Sequence, residues 1–306
     1  MKHLISSIFG KETVRELPLH LMILPGLILV IIYSYVPMLG IVIAFQKFVP
    51  SQGLFGSKWI GFGNFKDVYY LPGTLQVVWN TFFIASMKIV AEIVVPVTAA
   101  LLLNELGKDF IKRGIQTLIY LPHFLSWVIL SGILVDILSP STGIVNQFLG
   151  LFGVHPIFFL GNVHWFPFVL VISNTWKEFG FGTIVYLAAL TSINPSLYEA
   201  AVIDGASRWK QTLHVTIPGV LPIIVLLGTL SLGNVLNAGF DQVFNLYSPS
   251  VYQTGDIIDT TVYRIGLMQA QFGMATAVGL FKSAVSFFMI SIAYWLAFRF
   301  AKYRIF

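Results

Sequence analysis

Six stretches of this chain are apolar over roughly 20 residues or more, the length an α-helix needs to cross the hydrocarbon core of a bilayer. They run over about 19–45, 77–103, 115–138, 165–190, 220–240 and 275–298. Most are rich in Ile, Val and Phe, which favour strands in water. Inside lipid no water satisfies the backbone N–H and C=O groups, so each span is expected to be helical. Pro25 and Pro37 predict a first span that is kinked or broken. The expected fold class is therefore an all-α integral membrane protein of six transmembrane helices. It reads as one transmembrane domain over 1–306: a cytoplasmic N-terminal segment at 1–18, a core of five helices at 77–298, and a structured loop at 191–219 between spans four and five. The chain is 57% hydrophobic and 10% charged, where an ordinary soluble domain is about 25% charged. The first apolar run is too long for the core of a signal peptide and no small-residue cleavage site follows it, so it is expected to stay in the mature protein.

Orientation follows from Lys and Arg, which concentrate on the cytoplasmic side. With the N-terminus inside, the inner segments carry Lys2, Lys11, Arg15, Lys108, Lys112, Arg113, Arg208, Lys210, Arg299, Lys302 and Arg304. The outer segments carry only Lys47, Lys58, Lys66 and Arg264. Both termini are thus expected in the cytoplasm of a multi-pass protein. The net charge of +5 is explained by this bias, and no basic run interleaved with aromatics points to nucleic acid. No cysteine is present, which removes disulfides and thiolate chemistry. The six histidines have no metal-ligand spacing, no Gly-rich Lys-Ser/Thr loop cradles phosphate, and no set of catalytic groups stands at readable spacing. The expectation is no catalytic residue, no metal and no cofactor bound by this chain.

One inner loop carries a legible design. Residues 194–222 read NPSLYEAAVIDGASRWKQTLHVTIPGVLP. Asn194 suits an N-cap and Pro195 the first helical position. A short helix should run to about Ile203 and stop at Asp204-Gly205, where Gly tolerates the left-handed conformation. Ser207 can cap a second short helix through about Val215, with Pro218 and Pro222 shaping the start of span five. Such a helix–turn–helix at a membrane surface suits docking into a groove of a partner.

The run Glu199-Ala200-Ala201, then Gly205, then Ile217 and Leu221-Pro222 resembles the EAA loop of binding-protein-dependent ABC importer permeases. Residues 33–45 (YSYVPMLGIVIAF), 80–86 (NTFFIAS), 101–106 (LLLNEL), 116–133 (QTLIYLPHFLSWVILSGI) and 198–211 (YEAAVIDGASRWKQ) narrow this to the polysaccharide and oligosaccharide type, LplB-like permeases. The resemblance implies the type I ABC importer permease fold, with the loop forming coupling helices that sit in a cleft of an ATPase subunit. It implies as ATPase-coupling residues Tyr198, Glu199, Ala200, Ala201, Asp204, Gly205, Ala206 and Arg208. It also implies partners: a second, different homologous permease, two ABC ATPase subunits carrying ATP and Mg, an extracellular solute-binding protein, and a saccharide.

Polar groups inside spans mark sites, since they cost energy unless paired or wet. Lys88 and Glu92 stand one turn apart on one face of span two, and a structural ion pair is expected between them. Span four carries Asn174, Trp176, Lys177, Glu178 and Phe181; span five carries Asn234 and Asn237, with Asp241 at its outer end. Sugars need flat aromatic faces and directional polar groups. Asn174, Trp176, Glu178, Phe181, Asn234 and Asn237 are therefore the expected substrate-binding set. Trp176 and Asn237 could equally serve helix packing, and Glu178 could pair with Lys177. His123, beside Pro122, reads as a hydrogen-bonded packing residue. Two other functions stand beside the leading one: an ion-coupled secondary transporter using Glu92, Asp136 and Glu178, and an ABC permease for a non-sugar solute.

Overall fold

The computed structural model describes residues 11–301. Along the chain, helix α1 (Lys11–Val30) passes into a π turn (Ile31–Tyr35) and a 3-10 stretch (Val36–Phe45). The expected break in span one thus takes the form of a change in helix type, with Pro37 opening the 3-10 stretch. A two-residue antiparallel ribbon of β1 (Gln46–Lys47) and β2 (Lys58–Trp59) flanks α2 (Gly53–Gly56), and α3 (Gly63–Tyr70) follows. Then come α4 (Thr74–Asn104), α5 (Asp109–Tyr120), a 3-10 turn (Leu121–Phe124), α6 (Trp127–Ile137), α7 (Ile144–Gly150) and α8 (Phe166–Leu190). The cytoplasmic-loop candidate contributes α9 (Pro195–Ile203) and α10 (Arg208–Gln211), and a π turn (Thr212–Thr216) leads into α11 (Ile217–Leu232). Short helices α12 (Phe240–Leu246), α13 (Tyr252–Gly255) and α14 (Ile258–Tyr263) precede the last long helix α15 (Phe272–Ala301).

Among the described residues four helical runs are long and apolar enough to cross a membrane: Leu19–Phe45, Thr74–Asn104, Arg208–Leu232 and Phe272–Trp295. A fifth arises if Asp109–Phe124 and Trp127–Ile137 count as one span. That pair corrects the reading of 115–138 as one helix, because its two arms meet at 103°. Pro122 cannot donate a backbone hydrogen bond, and Ser126 caps a fresh helix by accepting from Ile129 N at 3.3 Å. Helix α8 has 25 residues, or roughly 37 Å at the usual rise. Its middle is polar from Ser173 to Glu178, which lowers its apolarity. Span five is also corrected. Its helix starts at Arg208 and ends at Leu232, so the second loop helix is continuous with the span. Asn234 and Asn237 lie in the turn beyond it, and Asp241 stands in the first turn of α12.

The described residues form two compact units, 11–70 with 265–280 and 71–264 with 281–301. In the first, every residue from 19 to 39 is exposed. Asn64 is buried and donates to Ala44 O at 2.8 Å and Gln46 O at 2.9 Å, tying α3 to the end of span one. Phe272 meets Phe48 edge-on at 6.0 Å.

In the second unit, α4 and α8 form the central pair. One buried cluster gathers Ile84, Phe166, Leu170, Ala238, Val243 and Ile257; another gathers Ala100, Leu103, Tyr186, Leu187, Leu190 and Val220. Helices in lipid gain stability mainly from close packing, and Gly180 shows how close. A Cβ there would stand 2.0 Å from Ile119 O, so α8 touches the backbone of α5. Lys88 Nζ donates to Ala238 O at 2.6 Å and to Gln242 Oε1. Gln242 Nε2 donates in turn to Leu170 O and Ser173 Oγ, both at 2.8 Å. The expected Lys88–Glu92 ion pair is thus corrected. Buried Lys88 takes its acceptors from the turn after span five and from α12, and Glu92 is held by Asn174.

Candidate functional site

Two places in the second unit concentrate the residues singled out above. The first is the helical knob of α9 and α10. Asn194 accepts from Ser196 N at 3.0 Å and Pro195 opens the helix. Gly205 ends it at φ +73°, with Ala206 N donating to Ala201 O at 2.9 Å, the ring closure of a left-handed C-cap. Ser207 caps α10 through Lys210 N at 3.5 Å. Tyr198 Oη lies 3.0 Å from Thr216 Oγ1 and Gln211 Nε2 donates to Ala206 O at 2.8 Å, so the knob is stitched to the start of span five.

No residue of α9 is buried. Glu199, Ala200, Asp204, Gly205 and Arg208 are exposed, and Tyr198, Ala201 and Ala206 are half-buried. Ile203 is 86% exposed and Trp209 73%, a large apolar display for a polar loop. Beside it lies a cavity of about 730 Å³ lined by Asn104, Glu105, Tyr198, Glu199, Ile203 and Arg208. Arg208 Nη1 is 3.8 Å from Glu105 Oε2, an exposed pair worth little energy. Glu105 and Trp209 belong to this place and were not assigned to it from sequence. The signal for Glu105 was an acid placed at the very end of an apolar span.

The second place is the polar middle of α8. Asn174 Nδ2 donates to Glu92 Oε1 at 2.6 Å, joining α8 to α4. Glu178 holds both neighbours: its Oε2 is 2.7 Å from His123 Nδ1 and its Oε1 2.7 Å from Lys177 Nζ. Lys177 Nζ also donates to His123 O at 3.0 Å, a carbonyl in the 3-10 turn between α5 and α6. Phe181 stacks on the His123 ring at 4.7 Å and 11° and on Tyr120 at 6.2 Å. The break in span three is thus held on α8 by the hydrogen-bonded triad of His123, Lys177 and Glu178 and by an aromatic stack. His123 is a packing residue, as read, and Glu178 pairs with Lys177.

Glu92, Asn174, Glu178, Phe181, Tyr186 and Ser231 line one cavity of about 450 Å³. Its carboxylates and amide can accept and donate to hydroxyls, and Phe181 offers apolar carbon. Trp176 is elsewhere. It lines an apolar cavity of about 280 Å³ with Leu134, Leu138, Phe159, Trp165 and Phe168, because residues two apart on a helix face different ways. Asn234 and Asn237 are exposed in the turn; Asn237 Oδ1 accepts from Gly239 N at 3.4 Å. The structure therefore brings Asn174, Glu178 and Phe181 together, adds Glu92 and Ser231, and leaves Trp176, Asn234 and Asn237 outside that cavity.

Residues 92–302 match the family described as binding-protein-dependent transport system inner membrane component. The polygalacturonan/rhamnogalacturonan transport system permease protein YteP of Bacillus subtilis (strain 168) is 40% identical over 291 residues, covering 95% of this chain and 91% of that protein. Protein LplB of the same organism is 39% identical, covering 94% of this chain and 90% of that protein. In fold, the chain is similar to one in the crystal structure of a bacterial ABC transporter involved in the import of the acidic polysaccharide alginate. That likeness has a TM-score of 0.88 and 38% identity and covers 95% of this chain and 98% of the other. A second structure, of the bacterial alginate ABC transporter in complex with alginate pentasaccharide-bound periplasmic protein, gives a TM-score of 0.89 and 36% identity over 97% and 99%. An all-helical fold, several apolar spans, a match over more than half the chain and identities near 40% agree: the chain belongs to the binding-protein-dependent transport system inner membrane component family.

Proposed function

We propose that this chain is a permease subunit of an ATP-binding-cassette importer and that its cargo is a saccharide, namely an oligosaccharide. It works with a second, homologous permease and receives the sugar from an extracellular solute-binding protein. ATP and Mg are bound by two separate ATPase subunits, and this chain itself binds no cofactor. Six spans cross the membrane, with the bent α5–α6 pair as the third and α8 as the fourth, and both termini are cytoplasmic. The Lys and Arg distribution supports that orientation. The names of the relatives and the alginate importers of like fold support the cargo class.

The observation that carries the reading is the knob. It is an exposed helical pair with bare apolar side chains Leu197, Val202, Ile203 and Trp209 beside an open cavity. A helix of this kind fits a groove of a partner, here the ATPase. Tyr198, Glu199, Ala200, Ala201, Asp204, Gly205, Ala206 and Arg208 form that coupling surface. From Arg208 to Leu232 the helix is continuous, and Ser231 at its far end lines the mid-span cavity. Movement of the knob as the ATPases close on ATP is thereby carried along one helical rod to the wall of the cavity. Transport needs two states that ATP biases differently, and the rod links the site of bias to Asn174, Glu178 and Phe181.

The test is reconstitution of the copurified assembly in proteoliposomes with external binding protein and internal ATP. Saccharide uptake should depend on ATP and on the ATPase subunits. Glu199→Lys and Gly205→Val should leave the chain in the membrane and abolish uptake or ATPase association. Normal uptake and association in both variants, or uptake driven by an ion gradient without ATPases, would refute the proposal.

A further inference from the structure

The segment that follows span one forms a surface with a basic face and an aromatic face. Span one ends at Phe45, and the next residues form the ribbon of β1 and β2. The same segment packs on the start of the last span: Phe48 meets Phe272, and a Cβ on Gly273 would stand 2.6 Å from Asn64 Nδ2. The ends of two runs long and apolar enough to cross a membrane therefore lie against it, the position expected at the boundary between hydrocarbon and headgroups.

In the ribbon Gln46 pairs with Trp59, and Lys47 with Lys58. Residues opposite each other in an antiparallel pair share a face, and like charges placed so are destabilising. Lys47 and Lys58 are exposed, and among the described residues neither has an ion-pair partner. An anion lying between them removes the penalty. Lys66 adds a third exposed cation, with Asp67 beside it as the one acid of the segment. The other face is aromatic. Trp59 stacks on Phe45 at 5.7 Å and 13°, and Phe62 meets Phe45 edge-on at 5.5 Å. Yet Trp59 is 61% exposed, Phe62 67%, and Phe55, on the four-residue α2, 104%. Aromatic rings with lysines alongside suit the interfacial zone, where rings enter the acyl boundary and ammonium groups meet phosphate.

We infer that this ribbon is a lipid-binding surface: Lys47 and Lys58 clamp the phosphate of an anionic phospholipid while Phe55, Trp59 and Phe62 seat in the acyl boundary. The inference rests on the apolar runs and the ribbon's own side chains and stands independently of the cargo.

The chain has no cysteine, so single cysteines can carry an environment-sensitive fluorophore in the assembled transporter in nanodiscs. Positions 55 and 59 test the aromatic face; position 51, an exposed serine in the turn, is the aqueous control. Phe55 is fully exposed, so Phe55→Cys keeps the test open if Trp59→Cys assembles poorly. Labels at 55 and 59 should be quenched by lipids brominated near the glycerol and shielded from iodide, with the reverse at 51. Adding phosphatidylglycerol to phosphatidylcholine discs should shift the label at 55 to the blue. Lys47→Gln with Lys58→Gln should abolish that shift, and arginine at both positions should restore it. Iodide quenching at 55 equal to that at 51 would overturn the inference. So would a shift that survives loss of both lysines, one reproduced by inorganic phosphate, or one that appears only when solute-binding protein is added, which would make the ribbon a protein-docking surface.

Discussion

Replacing Gly180 by alanine adds one methyl group where the structure has no room for it. The new carbon would stand 2.0 Å from Ile119 O, 2.5 Å from Ile119 C and 2.9 Å from Tyr120 N. Non-bonded heavy atoms settle near ~3.5 Å, and the obstruction is backbone, which cannot rotate away. Helices α8 and α5 must therefore part by about 1 Å or more. Overpacking of this kind costs about 1–3 kcal/mol. The parting also strains the bond between His123 and Glu178, now 2.7 Å, beyond the length at which a hydrogen bond persists. A hydrogen bond to a charged group is worth about 1.5–3 kcal/mol. The sum is about 3 kcal/mol or more, over a hundredfold in the folding equilibrium. Gly114 is the control. It lies in α5 with nothing within 4 Å of its would-be Cβ, and alanine there should gain roughly 0.5–1 kcal/mol of helix propensity. Denaturant titration in detergent, followed by tryptophan fluorescence, should give a much lower midpoint for Gly180→Ala and an unchanged or higher one for Gly114→Ala. Equal midpoints would refute the close approach of α8 and α5.

Phe181→Ala should lower saccharide uptake by about tenfold or more, a loss of stacking worth ~1.4 kcal/mol, while Trp176→Ala, in the apolar cavity, lowers it less; the reverse order would move the sugar path to the other side of α8. A cysteine placed at Ser250 should be labelled by impermeant reagent from the outer side only; labelling from the cytoplasmic side alone would invert the topology. Burial, with the neighbouring Tyr252, pushes the Tyr247 phenol up to about 12 from an ordinary 10.0. The folded state thus holds that proton more tightly, and the contribution to stability is complete below pH 10 and lost as pH rises through about 12. Thermal unfolding measured across that range should show an alkaline loss that Tyr247→Phe reduces; an identical profile in the variant would remove Tyr247 as its cause.

Much of the fold was legible because its causes are local. Lipid leaves a backbone no hydrogen-bonding alternative to helix, so apolar length alone located the long helices, and α4, α8 and α15 begin and end within a few residues of the expected bounds. The knob was legible for the same reason. Asn194, Pro195, Gly205 and Ser207 act on backbone groups within four residues of themselves, and α9 starts and stops where they dictate. Pro122 was a visible warning of the break in span three, yet its 103° bend depends on what the two arms pack against.

The site was legible in residue type and illegible in arrangement. Sequence by itself determined that Lys88, Glu92, Asn174, Lys177 and Glu178 would lie in long helices of a membrane protein and would need partners. Tertiary structure alone decided which partners. Lys88 and Glu92 have the spacing of an ion pair, but Ala238 O, 150 residues away, and Gln242 reach the ammonium, while Asn174 from α8 takes the carboxylate. Asn237 has the composition of a sugar ligand, but the helix ends at Leu232 and carries it into a turn. Trp176 and Phe181 sit on different faces of one helix, and the packing of α6 and α7 on one side of α8 and of α4 and α11 on the other gives each face its own cavity. A short-range signal fixes a conformation because its competitors are few and nearby. A buried polar group in lipid instead takes whichever donor or acceptor the whole bundle delivers, and that choice is made by residues far away in the chain.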